Sequence, residues 1–313
     1  MPLGWVYSGD FLLHDTGDAH VEQPCRLEVV RDALADAGLL QQMRPIEFGP
    51  ATPETIATIH DPAYIDLVRM FCDEGMTFIG SMDTRIGPRS YDVARLAVGG
   101  ILAACDAVMS DIITRAFCAL RPPGHHAERD QAMGFCIFNN VAIAAERLIR
   151  RHHLQRVAIV DFDVHHGNGT QHAFEDRDDV LYISLHQHPG CCYPGTGYET
   201  EIGTGAGQGF TLNIPLYPNS DDRAYRAAFA EKVIPRLDEF RPQFLLLSAG
   251  FDATRHERIA HINLDPESFE WMTRDLVDVA NAHCGGKLVS ALEGGYALQV
   301  LGQCAVRHLR GLL

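Results

Sequence analysis

The chain has no C-x-x-C pair, no apolar run near the length of a membrane span, and no patch rich in lysine and arginine. Nine cysteines (25, 72, 105, 118, 136, 191, 192, 284 and 304) make an odd count without paired spacing. Several sit in apolar runs, as Cys118 does in AFCAL, so they read as reduced core thiols of a cytoplasmic protein, not as a disulfide framework. The opening MPLGWVYSGDF lacks a basic stretch followed by an apolar one, so no signal peptide is expected. Without a span-length segment, no membrane association is expected either. Low-complexity tails, internal repeats and linker composition are also missing, which leaves one domain over residues 1–313. The charge is 26 − 41 = −15, with a pI near 5.4. That balance argues against nucleic-acid or anionic-membrane partners and is compatible with cationic substrates.

What is present is ample for one large α/β domain: 46% of the 313 residues are hydrophobic. The stretch that organises the chain is RVAIVDFDVHHGNG, residues 156–169. Its first half is β-branched and apolar, as in a central parallel strand. Asp161, Asp163 and His165 follow at two-residue spacing, which on a strand puts them on one face at the carboxyl edge of the sheet. Carboxylates placed where a core ends require a cation or hydrogen bonds. A bound metal is therefore expected, against the plainer alternative of an acidic strand end capping a helix.

Around this stretch the pattern alternates. A short strand is expected at 5–8 and a polar loop at 14–20. Helices follow at about Pro24–Gly38, in two pieces over 53–74 split at Asp61-Pro62, and at 89–109, with a loop at 82–88. Further strands are expected at 116–120, 157–161, 180–185, 211–215, 244–248 and 288–292. Helices at 139–152, 168–176, 221–239 and 266–283 lie between most of them. This rhythm specifies an open parallel sheet covered by helices on both faces. RPPGHHA, DFDVHHGNG and SAGFDAT end three of the strands, and EGGY follows a fourth.

Asp252, in SAGFDA, completes a set of two carboxylates and one imidazole that leaves a position open for water, the pattern of catalytic metals. Oxygen-heavy ligation admits Fe2+ or Co2+ beside Zn2+. His125 and His126 follow a rigid Pro-Pro-Gly turn and read as an acid/base pair tuned apart by nearby carboxylates. His152 and His153 read instead as solvated residues at a helix C-terminus. Tyr296, after a double glycine, is placed to donate to an oxyanion.

Together, RPPGHHA, GFCIFNN, VDFDVHHGNGT, ISLH, YPGTG, LSAGFDA and LEGGY resemble, in order, the motifs of the zinc-dependent histone deacetylase family of the arginase–deacetylase superfamily. The resemblance covers about residues 14–310, and RPPGHHA with Asn168 places it on the class II and bacterial amidohydrolase branch. It implies an arginase–deacetylase fold and a zinc-dependent deacylase. The metal falls to Asp163, His165 and Asp252. His125, held by Asp161, polarises and stabilises. His126, oriented by Asn168, is base and then acid, and Tyr296 binds the oxyanion. Gly134, Phe135 and Tyr193 wall an acyl-lysine tunnel, Asp83 holds substrate backbone at the rim, and Arg26 lies in an inner channel. Carbonyls of Asp161, Asp163, His165 and Leu185, with the Ser184 hydroxyl, form a structural K+ site. Phe174, Arg177, Val180 and Phe210 line a second.

Three departures stand out. Cys191-Cys192 replaces an aromatic before Tyr193, which makes the tunnel lip looser or redox-sensitive. TRHERIAHINL lacks the usual acidic-Pro-hydrophobic run. Ile259 stands where polyamine-specific relatives carry glutamate. The partner expected is an acyl-lysine protein or peptide, or a small acylated amine such as an acetylpolyamine, with a homo-oligomer left open. A scaffold without turnover and a two-metal arginase-type enzyme are the remaining rivals.

Overall fold

The computed structural model describes residues 2–313. The elements in order are β1 (Leu3–Val6), α1 (Cys25–Asp36), β2 (Met43–Pro45), α2 (Pro53–Ile56), α3 (Pro62–Asp73), β3 (Phe78–Ile79), β4 (Ser81–Arg85), α4 (Ser90–Met109), β5 (Arg115–Cys118) and α5 (Asn140–Arg150). They continue with β6 (Val157–Asp161), α6 (Asn168–Phe174), β7 (Val180–Gln187), β8 (Thr211–Leu216), α7 (Asp222–Ala228), α8 (Ile234–Phe240), β9 (Phe244–Ala249), α9 (Pro266–His283), β10 (Leu288–Leu292) and α10 (Leu298–Leu312). Eight strands form one sheet in the order β2-β1-β5-β10-β9-β6-β7-β8, with every neighbouring pair parallel. Every residue of β6, β9 and β10 is buried, because helices cover both faces and a strand sealed on both sides can carry no polar alternation. Each leucine of the Leu245–Leu247 run contributes about 1.5–3 kcal/mol by leaving water.

The chain lays down β5, then β6 at a distance, and only later fills the gap with β9 and β10. Register then aligns the strand ends: Asp161 pairs with Ser248, and Ser248 with Ala291. The loops after β5, β10, β9 and β6 therefore open side by side at one carboxyl edge, where open parallel sheets place ligands. An open parallel sheet is the architecture expected from the alternation, and β2 adds an eighth strand at its edge.

Four expectations change. The first strand begins at Leu3, not at residue 5, because Leu3 pairs with Met43 and Gly4 to Val6 pair with Ala116 to Cys118. Residues 82–88 are not wholly loop, since β4 pairs antiparallel with β3. The helix expected over 221–239 widens into a π turn at Phe229–Val233. Pro235 follows and cannot donate to the carbonyl four residues back, which relieves the tighter turn there. His152 is not solvated: its Nε2 lies 2.7 Å from Asp106 Oδ1, beside the Arg147–Asp106 pair. Three elements had no counterpart in the sequence reading, β2, β3 and α10. The buried Leu301, Cys304, Ala305, His308, Leu309 and Leu312 of α10 have helical spacing that was there to read. Among the described residues no helix is long and apolar enough to cross a membrane.

His308 sits in the core, between Thr273 Oγ1 at 2.6 Å and Ser290 Oγ at 2.8 Å, and against Phe117, Phe162 and Phe251. Burial pushes its pKa down from 6.5 to about 3. Between those values the unfolded chain holds a proton that the folded chain refuses, so stability falls as pH drops through the window, by about 1.4 kcal/mol per pH unit for this group. Urea midpoints measured from pH 7 to pH 5 should decline less steeply in His308→Gln than in the parent. Parallel slopes would remove His308 from the acid response.

Candidate active site

The strand geometry of β6 ends at Asp161, so the two-residue alternation stops one residue before it would matter. Asp161 does not share a ligand set with Asp163 and His165. Its Oδ2 lies 3.0 Å from His125 Nδ1 and accepts from the Tyr182 hydroxyl at 3.0 Å, while its Oδ1 accepts from Asp163 N. The irregular backbone beyond it swings Asp163 and His165 toward Asp252, from the loop after β9. Ligating atoms of these three lie within 4.8 Å of one another, all buried.

His165 Nδ1 stands 3.1 Å from Asp163 Oδ1 and 3.2 Å from Asp252 Oδ2. Ligands about 2.0 Å from a tetrahedral ion are spaced by about 3.3 Å. Asp252 Oδ2 has no hydrogen bond in a fully buried position, an arrangement that costs free energy unless a cation faces it. Burial and the neighbouring Asp163 push Asp252 up to about 6. Burial also opposes the charge on Asp163, but His125 and His165 outweigh it and hold that carboxyl well below the usual range. Gly250 and Gly294 leave the space: a Cβ at Gly294 would run into Asp252 Oδ2 and Asp163 Oδ2. The donor set and its packing fit a divalent cation.

The His125-His126 loop is seated from below. Glu293 Oε2 accepts from Gly124 N at 2.7 Å and His125 N at 3.2 Å. The two rings, 4.0 Å apart, meet opposite surroundings. Burial disfavours charge on His125, yet Asp161 and Asp163 outweigh it and raise the ring to about 10. His126 faces neutral Asn168, its Nδ1 2.7 Å from Asn168 Oδ1. Burial and the neighbouring His125 and His165 push it well down. Two adjacent imidazoles with opposed shifts are suited to different proton roles. A cation between Asp163 and Asp252 would disfavour the charged form of both.

An aromatic slot leads to this point. Tyr193 stands edge-on to His126 at 5.1 Å, and Phe135 meets Tyr296 edge-on at 5.6 Å. Phe135 has φ 69, a conformation costly for an aromatic residue and characteristic of functional loops; its N–H donates to Thr84 Oγ1. Gly134 backs His126 so closely that a Cβ would strike the ring. Tyr296 carries the Arg26 guanidinium over its face at 4.7 Å, and burial raises its hydroxyl well above 10. At the rim, Asp83 is half-buried on β4 and accepts from Ser81 Oγ. Ile259 shares a cavity of about 280 Å3 with Tyr296, His20 and Glu257. Cys191 is exposed and Cys192 partly buried; burial pushes the Cys192 thiol up, away from the thiolate that redox reactivity needs.

For the expected K+ ligands, Asp161 and Ser184 are register neighbours on β6 and β7. In the second set, the Phe174 and Phe210 carbonyls already accept from Arg177 N and Tyr182 N.

The sequence reading missed four groups. Glu293 seats the histidine loop, and its place right after an apolar strand repeats the signal that singled out Asp161. Glu257 Oε2 accepts from the N–H groups of Tyr296 and Ala297, at 2.9 and 3.1 Å. Glu22 and Arg121 form a fully buried pair at 2.7 Å, with Arg26 on the same Glu22 oxygen at 3.1 Å. Nothing local in the sequence marks those last two as partners.

Comparison with known proteins decides the family. The histone deacetylase domain matches residues 20–312. The chain belongs to the histone deacetylase family. This histone deacetylase domain is 42% identical to the histone deacetylase-like amidohydrolase of Pseudomonas aeruginosa, over 94% of this chain and 77% of that protein. It is 37% identical to the human polyamine deacetylase HDAC10, over 100% of this chain and 48% of that protein. The crystal structure of the HDA15 HD domain superposes with a TM-score of 0.95 at 35% identity, covering 100% of this chain and 89% of that one. The fold is thereby the arginase–deacetylase fold.

Zn2+ added to chelator-stripped protein at about 100 times its dissociation constant should stabilise the fold by about 2.7 kcal/mol, or about 4 °C in Tm. Asp252→Asn should raise the metal-free Tm, by relieving repulsion with Asp163, and abolish the Zn2+-dependent rise. Calorimetry showing the same rise in both proteins would remove Asp252 from the ligand set.

Proposed function

We propose that residues 1–313 form one catalytic domain that hydrolyses the side-chain amide of acyl-lysine in proteins or peptides. The observation that carries this reading is the meeting of Asp163, His165 and Asp252 with two differently partnered histidines at the end of an aromatic slot. A divalent ion held by those three ligands, Zn2+ in the first instance and Fe2+ or Co2+ otherwise, would supply Lewis acidity toward the acyl oxygen and toward water.

The protein's own groups do the rest. His126, oriented by Asn168, takes a proton from the attacking water and later returns it to the departing amine, which leaves poorly unless protonated. His125, held by Asp161, polarises the site and stabilises the developing oxyanion, and the Tyr296 hydroxyl donates to it. Gly134, Phe135 and Tyr193 clasp the lysine methylenes and exclude water. Asp83 accepts from substrate backbone at the rim, where Ile259 adds an apolar surface. Arg26, behind Tyr296, lines an inner channel. Structural K+ would sit on carbonyls of Asp161, Asp163, His165 and Leu185 with the Ser184 hydroxyl. Reduced core thiols suit a cytoplasmic setting.

A small acylated amine is the second reading. The net charge of −15 favours a polyamine, whereas Ile259 offers no carboxylate to a distal ammonium. Comparing kcat/KM on an acetyl-lysine peptide and on N-acetylputrescine separates the two, with the peptide expected to lead. Hydroxamate binding without turnover of either would point to a scaffold. Tyr296→Phe should lose about 10²–10³ in kcat; turnover equal to the parent would sink the hydroxyl's role.

A further inference from the structure

Asn168 has an amide whose two ends meet different company. Its Nδ2 faces three acceptors: Glu128 Oε1 at 2.5 Å, the His126 carbonyl at 3.3 Å and Met133 Sδ at 3.4 Å. Its Oδ1 faces His126 Nδ1 at 2.7 Å. A carboxylate can only accept. Turning the amide over would press Oδ1 against Glu128 Oε1 and leave a buried carbonyl against two further acceptors. Orientation of an asparagine is set by such neighbours, and the charged one dominates.

We propose that Glu128 is a positioning residue for His126, acting through the Asn168 amide, an inference that rests on the hydrolase reading above. With Nδ2 committed to Glu128, Oδ1 must accept from His126, so Nδ1 carries the proton and Nε2 keeps its lone pair. That tautomer is the one a general base at Nε2 requires. Glu128 is itself braced: both its carboxylate oxygens lie near His172 Nδ1, at 2.9 and 3.0 Å. Its carbonyl accepts from His60 Nδ1, because His60 Nε2 already accepts from Asn139 N. The contrast with the neighbouring ring shows what the amide achieves. Asp161 touches His125 directly and brings full charge to it. Glu128 stands one amide away from His126, so it fixes the ring's tautomer while its charge stays at the half-buried edge of the site.

The test uses the whole 313-residue chain labelled with 15N-histidine, with and without Zn2+, the His126 signals being assigned by their loss in His126→Gln. The parent should show His126 as a single neutral tautomer protonated at Nδ1. Glu128→Met, similar in size but without an oxygen acceptor, should add the Nε2-protonated tautomer. Its kcat should fall about tenfold with KM within about twofold. Glu128→Gln keeps a carbonyl to accept from Asn168 and should recover the parental spectrum. An unchanged tautomer in Glu128→Met, or an Nε2-protonated ring in the parent, overturns the inference. Should Glu128→Met not fold, the parent and Glu128→Gln spectra decide it. A parent that hydrolyses no acyl-lysine substrate sinks the hydrolase reading and leaves the tautomer measurement standing.

Discussion

Asp163 and Asp252 are both sealed from solvent, and a single imidazole nitrogen stands between them at 3.1 and 3.2 Å. Two carboxylates so placed repel one another in a medium that screens poorly, and each has also lost its hydration. Around this constraint the sheet edge is arranged. Gly294 N and His165 N donate to the two oxygens of Asp163, and Val164 N donates to Asp252 Oδ1, so backbone from two different loops supports both acids. Only Asp252 Oδ2 is left without a hydrogen bond, and it faces Asp163 across His165 Nδ1. The arrangement is costly without a cation and favourable with one, which ties stability to metal occupancy.

The same economy of charge governs the histidine loop. RPPGHH does not position its own imidazoles; Glu293, from the end of β10, holds its backbone. Behind it, Arg121 donates to Glu22 and to the carbonyls of Phe11 and His14. Arg26 reaches from the same Glu22 to the carbonyls of Glu293 and Gly295. Two fully buried guanidiniums thus join the N-terminal loop, the histidine loop and the tyrosine loop. Removing one member of such a set leaves uncompensated charge, at about 3–5 kcal/mol. The network therefore holds several loops in one relative geometry, which is what chemistry at a shared centre demands.

The sequence by itself determined the class of the fold and which residues stand at the sheet edge. Short apolar runs ending in acids and histidines read as buried strands with polar loops, and burial on both faces accounts for the unbroken apolar pattern of β6, β9 and β10. Asp163, His165 and Asp252 were legible for that reason, as were His125 with Asp161 and His126 with Asn168 through family resemblance. The structure alone decided partnership. Asp161 reads as a third ligand from its spacing, but β6 ends there, and the irregular turn sends its carboxylate to His125. Glu257 and Glu128 carry no local signal, and neither does the pairing of Glu22 with Arg121, since each of these contacts joins groups distant in the chain. Whether an acid binds a cation, clamps a backbone or orients an amide depends on what the crossovers bring opposite it. Here that was settled by β9 and β10 returning to fill the gap between β5 and β6.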